Sequence, residues 1–183
     1  MKFCTQCGSP VHLSVIPGDT VMRYYCSACE TVHYQNPKII VGCIAVDEKN
    51  RVLLCKRAIE PRIGKWGIPA GYLENGETIE AGAVRETFEE SNGVVAELSL
   101  HCIYNLPHVN QVYIYFRGKL VSWDFEPNAE TSAAGLFSES EIPWEELAFT
   151  SNRFALQKHF SHEKGPHQSV FIGHFEPSGR GDF

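Results

Sequence analysis

The sequence has no apolar run near the roughly 18 residues that a membrane-crossing helix needs, so no span is expected. Its first residues, MKFCTQCGSP, lack the apolar core of a secretory signal, and the expectation is a cytoplasmic protein without membrane partners. It lacks an excess of positive charge. A formal net charge of −6 over 183 residues argues against a surface that coats nucleic acid. It lacks internal repeats, apart from one duplicated cysteine pair. What is present is ordinary globular text, 43% hydrophobic and 21% charged, enough for one domain and a small appendage.

Seven cysteines are an odd number. Cys4/Cys7 and Cys26/Cys29 form two CxxC pairs, while Cys43, Cys55 and Cys102 lie in apolar, strand-like text. This pattern fits a reducing compartment with metal-bound and buried thiols better than a disulfide framework. The 18 residues between the pairs allow two knuckles to bring four thiolates to one tetrahedral Zn²⁺. A redox CxxC pair is the alternative. Four thiolates close a zinc shell, so His12 and His33 are expected to be surface or packing residues. The first 37 residues carry only Lys2 and Arg23 as firm positive charges. A structural or dimer-contact role is therefore favoured over nucleic-acid binding.

Three parts are expected: 1–36 with the cysteine pairs, 37–160 with alternating strand and helix signals, and a tail over 161–183. The tail is rich in Gly, Pro and His, has one short apolar run at Val170 to Ile172, and is expected to be mostly loosely ordered. KIIVGCIAV and RVLLCKRA read as a hairpin joined by Asp47-Glu48-Lys49-Asn50. WGIPAGYLE reads as a short strand broken by Pro69, and Thr78 to Ser91 as a helix after the Asn75-Gly76 turn. VVAELSLHCIYNL and QVYIYFRGKLVS read as strands. IPWEELAF reads as a helix starting near Pro143, and SNRFALQKHF as another that Ser151 could cap.

The stretch GYLENGETIEAGAVRETFEESNG holds six glutamates. On a helix, Arg85, Glu86, Glu89 and Glu90 fall within an arc of about 140°, with Val84, Thr87 and Phe88 pointing toward a core. Like charges at this spacing repel, and a helix C-terminus disfavours them further. Either the face is solvated, or a hard divalent cation reverses the sign.

The flanks extend the pattern: Gly71, five residues, Glu77, seven residues, then Arg85-Glu86-x-x-Glu89-Glu90. This resembles the box of the Nudix hydrolases, which cleave nucleoside diphosphates linked to another moiety. Thr87 replaces the usual large aliphatic, Asn92 stands where the box has glycine, and Gly93 where it has an aliphatic. Asn and Gly both tolerate the left-handed conformation that ends a helix, so SNG is read as a shifted cap.

The resemblance implies an α/β/α sandwich with a mixed sheet, preceded by a small zinc ribbon. It implies Mg²⁺ or Mn²⁺ at Glu86 and Glu90, with Glu89 on a second metal or a water. It also implies a backbone carbonyl ligand at Ala70 or Gly71. Glu77 is expected to be a structural partner in the loop. The general base differs among Nudix branches, and Glu86, Glu130 and Glu139 are the alternatives. Arg57, Arg62 and Lys65 are candidates to meet phosphates, and Trp66, Tyr104 or Tyr113 to stack on a base, with a purely structural role as the alternative for each and core filling for Trp66.

The ribbon, HYQNPKIIVGCI and KRAIEPRIGKWGIPAGYLENGET together resemble the branch of bacterial ADP-ribose pyrophosphatases and the plant FAD pyrophosphatase. Pro107 agrees with the spacing in ADP-ribose hydrolases. The SQPWPFPxS-type motif of NADH pyrophosphatases is absent. The resemblance thus implies a nucleotide substrate with an ADP diphosphate, and a homodimer. The rival expectations are a non-catalytic nucleotide sensor and a pyrophosphatase of NADH or nucleotide sugars.

Overall fold

The computed structural model describes residues 1–162 and 170–175. Two compact units divide at Pro37/Lys38. The first holds three short antiparallel strands in the order β1-β2-β3, with β1 His12–Val15, β2 Met22–Tyr25 and β3 Val32–His33. Its buried side chains are Cys4, Cys26 and His33. That is too little apolar burial to hold such a short unit without a further constraint.

The second unit contains β4 (Lys38–Val46), β5 (Val52–Arg57), β6 (Trp66–Gly67), β7 (Ala70–Tyr72) and α1 (Ile79–Ser91). After these come β8 (Val94–Leu106), β9 (Gln111–Ser122), β10 (Thr131–Phe137), α2 (Thr150–His162) and β11 (Phe171–His174). The sheet runs β10-β5-β4-β9-β8-β11, with β6 on β5 and β7 on β4. It is mixed: β4 lies parallel to β9, and β11 to β8, while β8–β9 and β10–β5 are antiparallel.

Both faces of the central strand are apolar, as a strand covered on both sides requires. Ile40, Ile44 and Val46 of β4 point to a core shared with Ala155, Leu156 and Phe160 of α2. Val41, Cys43 and Ala45 point to the opposite core, shared with Ala83 of α1. One helix on each face makes the α/β/α sandwich.

The β4–β5 hairpin forms as its sequence predicts. Asp47 accepts the N–H groups of Lys49 and Arg51 at 3.0 and 2.8 Å, and Asn50 takes φ 60°. Pro69 separates β6 from β7, and these pair with different strands.

Two local expectations need correction, and two strands add to the expected elements. IPWEELAF is not an α-helix: it holds one 3₁₀ turn, Trp144–Glu146, and a second, Glu139–Glu141, ends just before it. Ile142, the residue before Pro143, is driven to ψ 126°, which breaks the run. Ser151 caps nothing: it lies inside α2, fully buried, with its Oγ 3.2 Å from the Tyr115 hydroxyl. β10 was not expected, because Ser132, Ala133, Ala134 and Gly135 carry little strand preference; pairing with β5 decides their conformation. The tail contributes β11, which pairs with β8. The expectation of loose order elsewhere in the tail falls on 163–169 and 176–183, outside the described residues.

Candidate active site

Helix α1 starts at Thr78, whose hydroxyl accepts the Ala81 N–H at 3.2 Å, and ends at Asn92 in the left-handed region. Thr87 is fully buried and donates its hydroxyl to the Ala83 carbonyl at 2.7 Å. The departure from an aliphatic thus leaves no polar atom unsatisfied. Phe88 does not join the core as its spacing predicts. It is 53% exposed, because Glu86 and Thr87 take the buried side of the helix.

Arg85 organises the carboxylates. It donates Nε and Nη2 to Glu77 at 3.0 and 2.7 Å, and Nη1 to Glu86 and Glu89 at 2.6 and 3.0 Å. Nη2 also meets the Tyr72 carbonyl at 3.1 Å. Glu77 further accepts the Glu74 N–H at 2.8 Å. The bidentate guanidinium is the main reason the Glu77 carboxyl is held down at about 2.

Glu86 and Glu90 behave oppositely. Burial is the main cause that raises the Glu86 carboxyl, against the opposing pull of Arg85. Burial and then the Glu86 charge push Glu90 up to about 8, although the Ala70 N–H and Arg57 favour its anion. Glu130 adds its negative field to both. Two carboxylates withdrawn from water, each near enough for its charge to act on its neighbours, beside Glu89 form a hard oxygen donor set of the kind Mg²⁺ or Mn²⁺ takes. Gly71 is part of this cradle: a Cβ there would lie 2.3 to 2.5 Å from the Glu86 carboxylate atoms. The residues present therefore fit the divalent cation that the charge pattern implies.

These groups line a cleft of about 850 Å³, bordered also by Ala70, Arg57, Tyr113 and Glu130. Arg57 is pinned by Nε donation to the Pro61 carbonyl at 2.8 Å and lies 5.2 Å above the Phe149 ring. Arg62 and Lys65 do not border the cleft. They belong to the connection between β5 and β6, where the Arg57 N–H donates to the Lys65 carbonyl at 2.9 Å. Trp66 packs edge-on against Phe137, Tyr104 packs tilted against Phe154, and neither borders the cleft. Glu139 lies in a 3₁₀ turn away from the lining, whereas Glu130 belongs to it.

Sequence reasoning missed Asn128. Its Nδ2 donates to the Glu89 and Glu90 carbonyls at 3.0 and 3.4 Å, and its Oδ1 accepts the Glu130 and Thr131 N–H groups at 2.9 Å each. One carboxamide thus ties the loop bearing Glu130 to the end of α1. The only signal in the sequence is an Asn after Pro127, which reads as turn text.

In the first unit, the four Sγ atoms of Cys4, Cys7, Cys26 and Cys29 all lie within 4.8 Å of one another. Cys4–Cys29 is 3.6 Å and Cys7–Cys26 3.5 Å, close to the ~3.8 Å between sulfurs on a tetrahedral zinc. The donor set fits Zn²⁺. His33 is more than a packing residue: it is buried with Nε2 3.2 Å from Cys4 Sγ, because β3 brings it back over the first knuckle.

Comparison with known proteins agrees with both halves. Residues 36–168 match the NUDIX domain family, and residues 2–35 the Nudix N-terminal zinc-ribbon family. A crystal structure of a NUDIX hydrolase from Nitrosomonas europaea is 49% identical, with TM-score 0.87, covering 96% of this chain and all of that one. The NAD-capped RNA hydrolase NudC of Vibrio atlanticus (strain LGP32) is 38% identical over 146 residues, 78% of this chain and 51% of its own length. The chain therefore spans about half the length of that curated relative. An ADP-ribose pyrophosphatase from Streptococcus suis 89-1591 shares the fold, with TM-score 0.61 and 21% identity over 75% of this chain and 99% of its own. With its carboxylate helix, its four-thiol knuckles and these matches over nearly its whole length, the chain belongs to the Nudix family, in the group that carries an N-terminal zinc ribbon.

Proposed function

We propose that the cleft hydrolyses the diphosphate of an ADP-containing substrate, ADP-ribose or FAD, giving AMP and a second phosphate product. The observation that supports this most is the interior pair Glu86 and Glu90, whose charges oppose each other until a divalent cation joins them. Glu86 and Glu90 hold that cation in this reading, with Glu89 and a backbone carbonyl at Ala70 or Gly71. A cation held there would supply charge to neutralise phosphate oxygens and to lower the pKa of the attacking water. Arg85 fixes Glu86 and Glu89 in place. Glu130 is oriented by Asn128 toward the same pair, where it serves as a further ligand or as the base. In this reading Glu139, outside the cleft lining, is not the base, and Arg62 and Lys65, also outside it, do not contact phosphate. Zn²⁺ holds the ribbon and takes no part in the chemistry. A homodimer and a cytoplasmic location complete the proposal.

The relatives named NAD-capped RNA hydrolases supply a second reading, a diphosphate inside a capped RNA. They lend no support to the expectation that nucleic acid is no partner. The deciding experiment is a Mg²⁺-dependent panel of ADP-ribose, FAD, NADH, NAD-capped RNA, a nucleotide sugar and a nucleoside triphosphate, with products separated chromatographically. AMP from ADP-ribose or FAD ahead of the others supports the proposal. Faster release from capped RNA replaces the substrate. Binding without cleavage of any of them leaves a nucleotide sensor.

A further inference from the structure

At the end of the cleft formed by the start of α2, one buried carboxamide has its oxygen paired and its NH₂ group without a hydrogen-bond acceptor among the described residues. Asn152 is 98% buried, since only 2% of its surface is exposed, yet it borders the cleft. Its Oδ1 is occupied: the Tyr115 hydroxyl donates to it at 2.9 Å. Tyr115 is itself fully interior, and its oxygen lies 3.2 Å from Ser151 Oγ. This chain of hydroxyls fixes the carboxamide and turns Nδ2 the other way. Nδ2 donates to no described residue, and it is not sealed off from solvent. It faces Gly67, where a Cβ would lie 3.0 Å from it. Glycine at that position keeps the donor uncovered.

The surroundings define what such a donor can read. Ile68, Tyr115 and Phe149 border the cleft alongside Asn152 and Gly67, and the Tyr115 hydroxyl is already committed to Asn152. A polyhydroxyl sugar here would bury hydroxyls with too few acceptors, at a cost for each one left unpaired. A flat heterocycle with one in-plane acceptor meets the apolar walls and satisfies the one donor. The place is also within reach of the carboxylates. Gly67 abuts Asn152 and Gly71 abuts Glu86, four residues apart on one segment, which is at most about 13 Å of extended chain.

We propose that Asn152 is a specificity-determining contact. Its Nδ2–H donates to a ring nitrogen or carbonyl oxygen on a heterocycle of the substrate, and Gly67 holds the approach open. The proposal rests on the reading of the cleft as a nucleotide diphosphate site, and it adds which end group that site selects.

The test compares the whole protein with Asn152→Asp and Gly67→Ala. Asn152→Asp keeps the shape and the acceptor toward Tyr115 but turns the donor into an acceptor. Gly67→Ala leaves Asn152 intact and covers Nδ2 with a methyl group. Dissociation constants for ADP-ribose and FAD are measured by calorimetry with Ca²⁺ in place of Mg²⁺, and KM and kcat with Mg²⁺. Melting temperatures verify that each variant is folded. The expected result is a Kd and KM raised roughly tenfold or more in both variants, with a smaller change in kcat. Weakening of both ligands assigns the contact to adenine, and weakening of FAD alone assigns it to the second heterocycle. Unchanged Kd and KM for both ligands in Asn152→Asp overturn the proposal, even if wild-type cleavage upholds the pyrophosphatase reading. If the wild type binds ADP-ribose or FAD but cleaves neither, the pyrophosphatase reading fails and the Kd comparison still decides Asn152. If it binds neither, both fall.

Discussion

A carboxyl group that titrates at about 8 in the folded protein holds its proton more tightly there than in the unfolded chain, where the value is near 4.3. The stability that Glu90 contributes is therefore full below about 4.3 and is lost as pH rises through about 8. Metal-free protein is expected to lose melting temperature across that window, and Mg²⁺ to recover it at the alkaline end, where proton competition is weakest. Glu90→Gln should flatten the slope, hold or raise the metal-free melting temperature, and cut turnover by orders of magnitude. Melting curves in chelator against pH, beside assays with Mg²⁺, test this; an unchanged slope would locate the titration in another group. Asn128 acts at the same scale but through others. Asn128→Ala removes four hydrogen bonds, two that its Oδ1 accepts in the loop and two that its Nδ2 donates to the helix end, at a cost of about 1–3 kcal/mol. It should also lower kcat by releasing Glu130, read by urea unfolding and by kcat at saturating substrate. The difference in legibility has a physical origin. Glu86, Glu89 and Glu90 repeat at helix spacing and repel one another, so the sequence itself poses their problem. Asn128 and Asn152 are single amides in turn-like and cap-like text, and only the tertiary fold shows what their two ends touch.

The elements were legible where one local force dominates. β8 and β9 follow from long β-branched and aromatic runs, and α1 from its cap and its periodicity. They were not legible where a neighbour decides, as in β10, or where one proline overrides helix-like composition, as at Pro143. Two predictions belong here. The first concerns the end of α1. Asn92 holds φ 56° and donates Nδ2 to the Asp124 carbonyl at 3.1 Å. Asn92→Ala loses both features and should cost about 1–2 kcal/mol, whereas Asn92→Gly keeps the backbone freedom and should cost less. Urea unfolding of the pair measures the gap, and equal losses would mean that the side-chain bond alone matters. The second concerns α2. His159 is 2% exposed, its Nε2 has no hydrogen-bond partner among the described residues, and burial first, then Arg117 and His101, lowers it to about 4. The folded protein binds fewer protons there than the unfolded chain, so stability is full above about 6.5 and falls as pH drops toward 4. The fall attributable to this group is at most about 3 kcal/mol. His159→Leu should remove that part of the acid slope, and urea unfolding at several pH values between 4 and 7 would show whether it does.

For the whole molecule, the two units are held by different forces. Residues from Lys38 onward bury two continuous apolar cores, one on each face of the sheet. The unit Met1–Pro37 buries two cysteines and a histidine, and its strands leave Leu13, Val15 and Met22 about half exposed. Hydrophobic burial on that scale does not offset the conformational entropy of ordering the unit. A metal joined to four thiolates would, because the binding free energy of a structural zinc becomes folding free energy. Spacing alone foretold that the four thiols would gather; it did not foretell His33, whose place on Cys4 depends on how β3 returns. Elemental analysis of protein purified without added metal should find about one zinc per chain. Removing it with a strong chelator, or replacing Cys26 by Ser, should unfold the first unit, seen as new proteolytic cuts confined to residues 1–37 and as lost solubility. Cleavage of the diphosphate should continue at the same bond, because Glu86, Glu90 and their cleft belong wholly to the second unit. Protein that contains no zinc, yet resists proteolysis over its first 37 residues, would show that the ribbon is held by something other than metal.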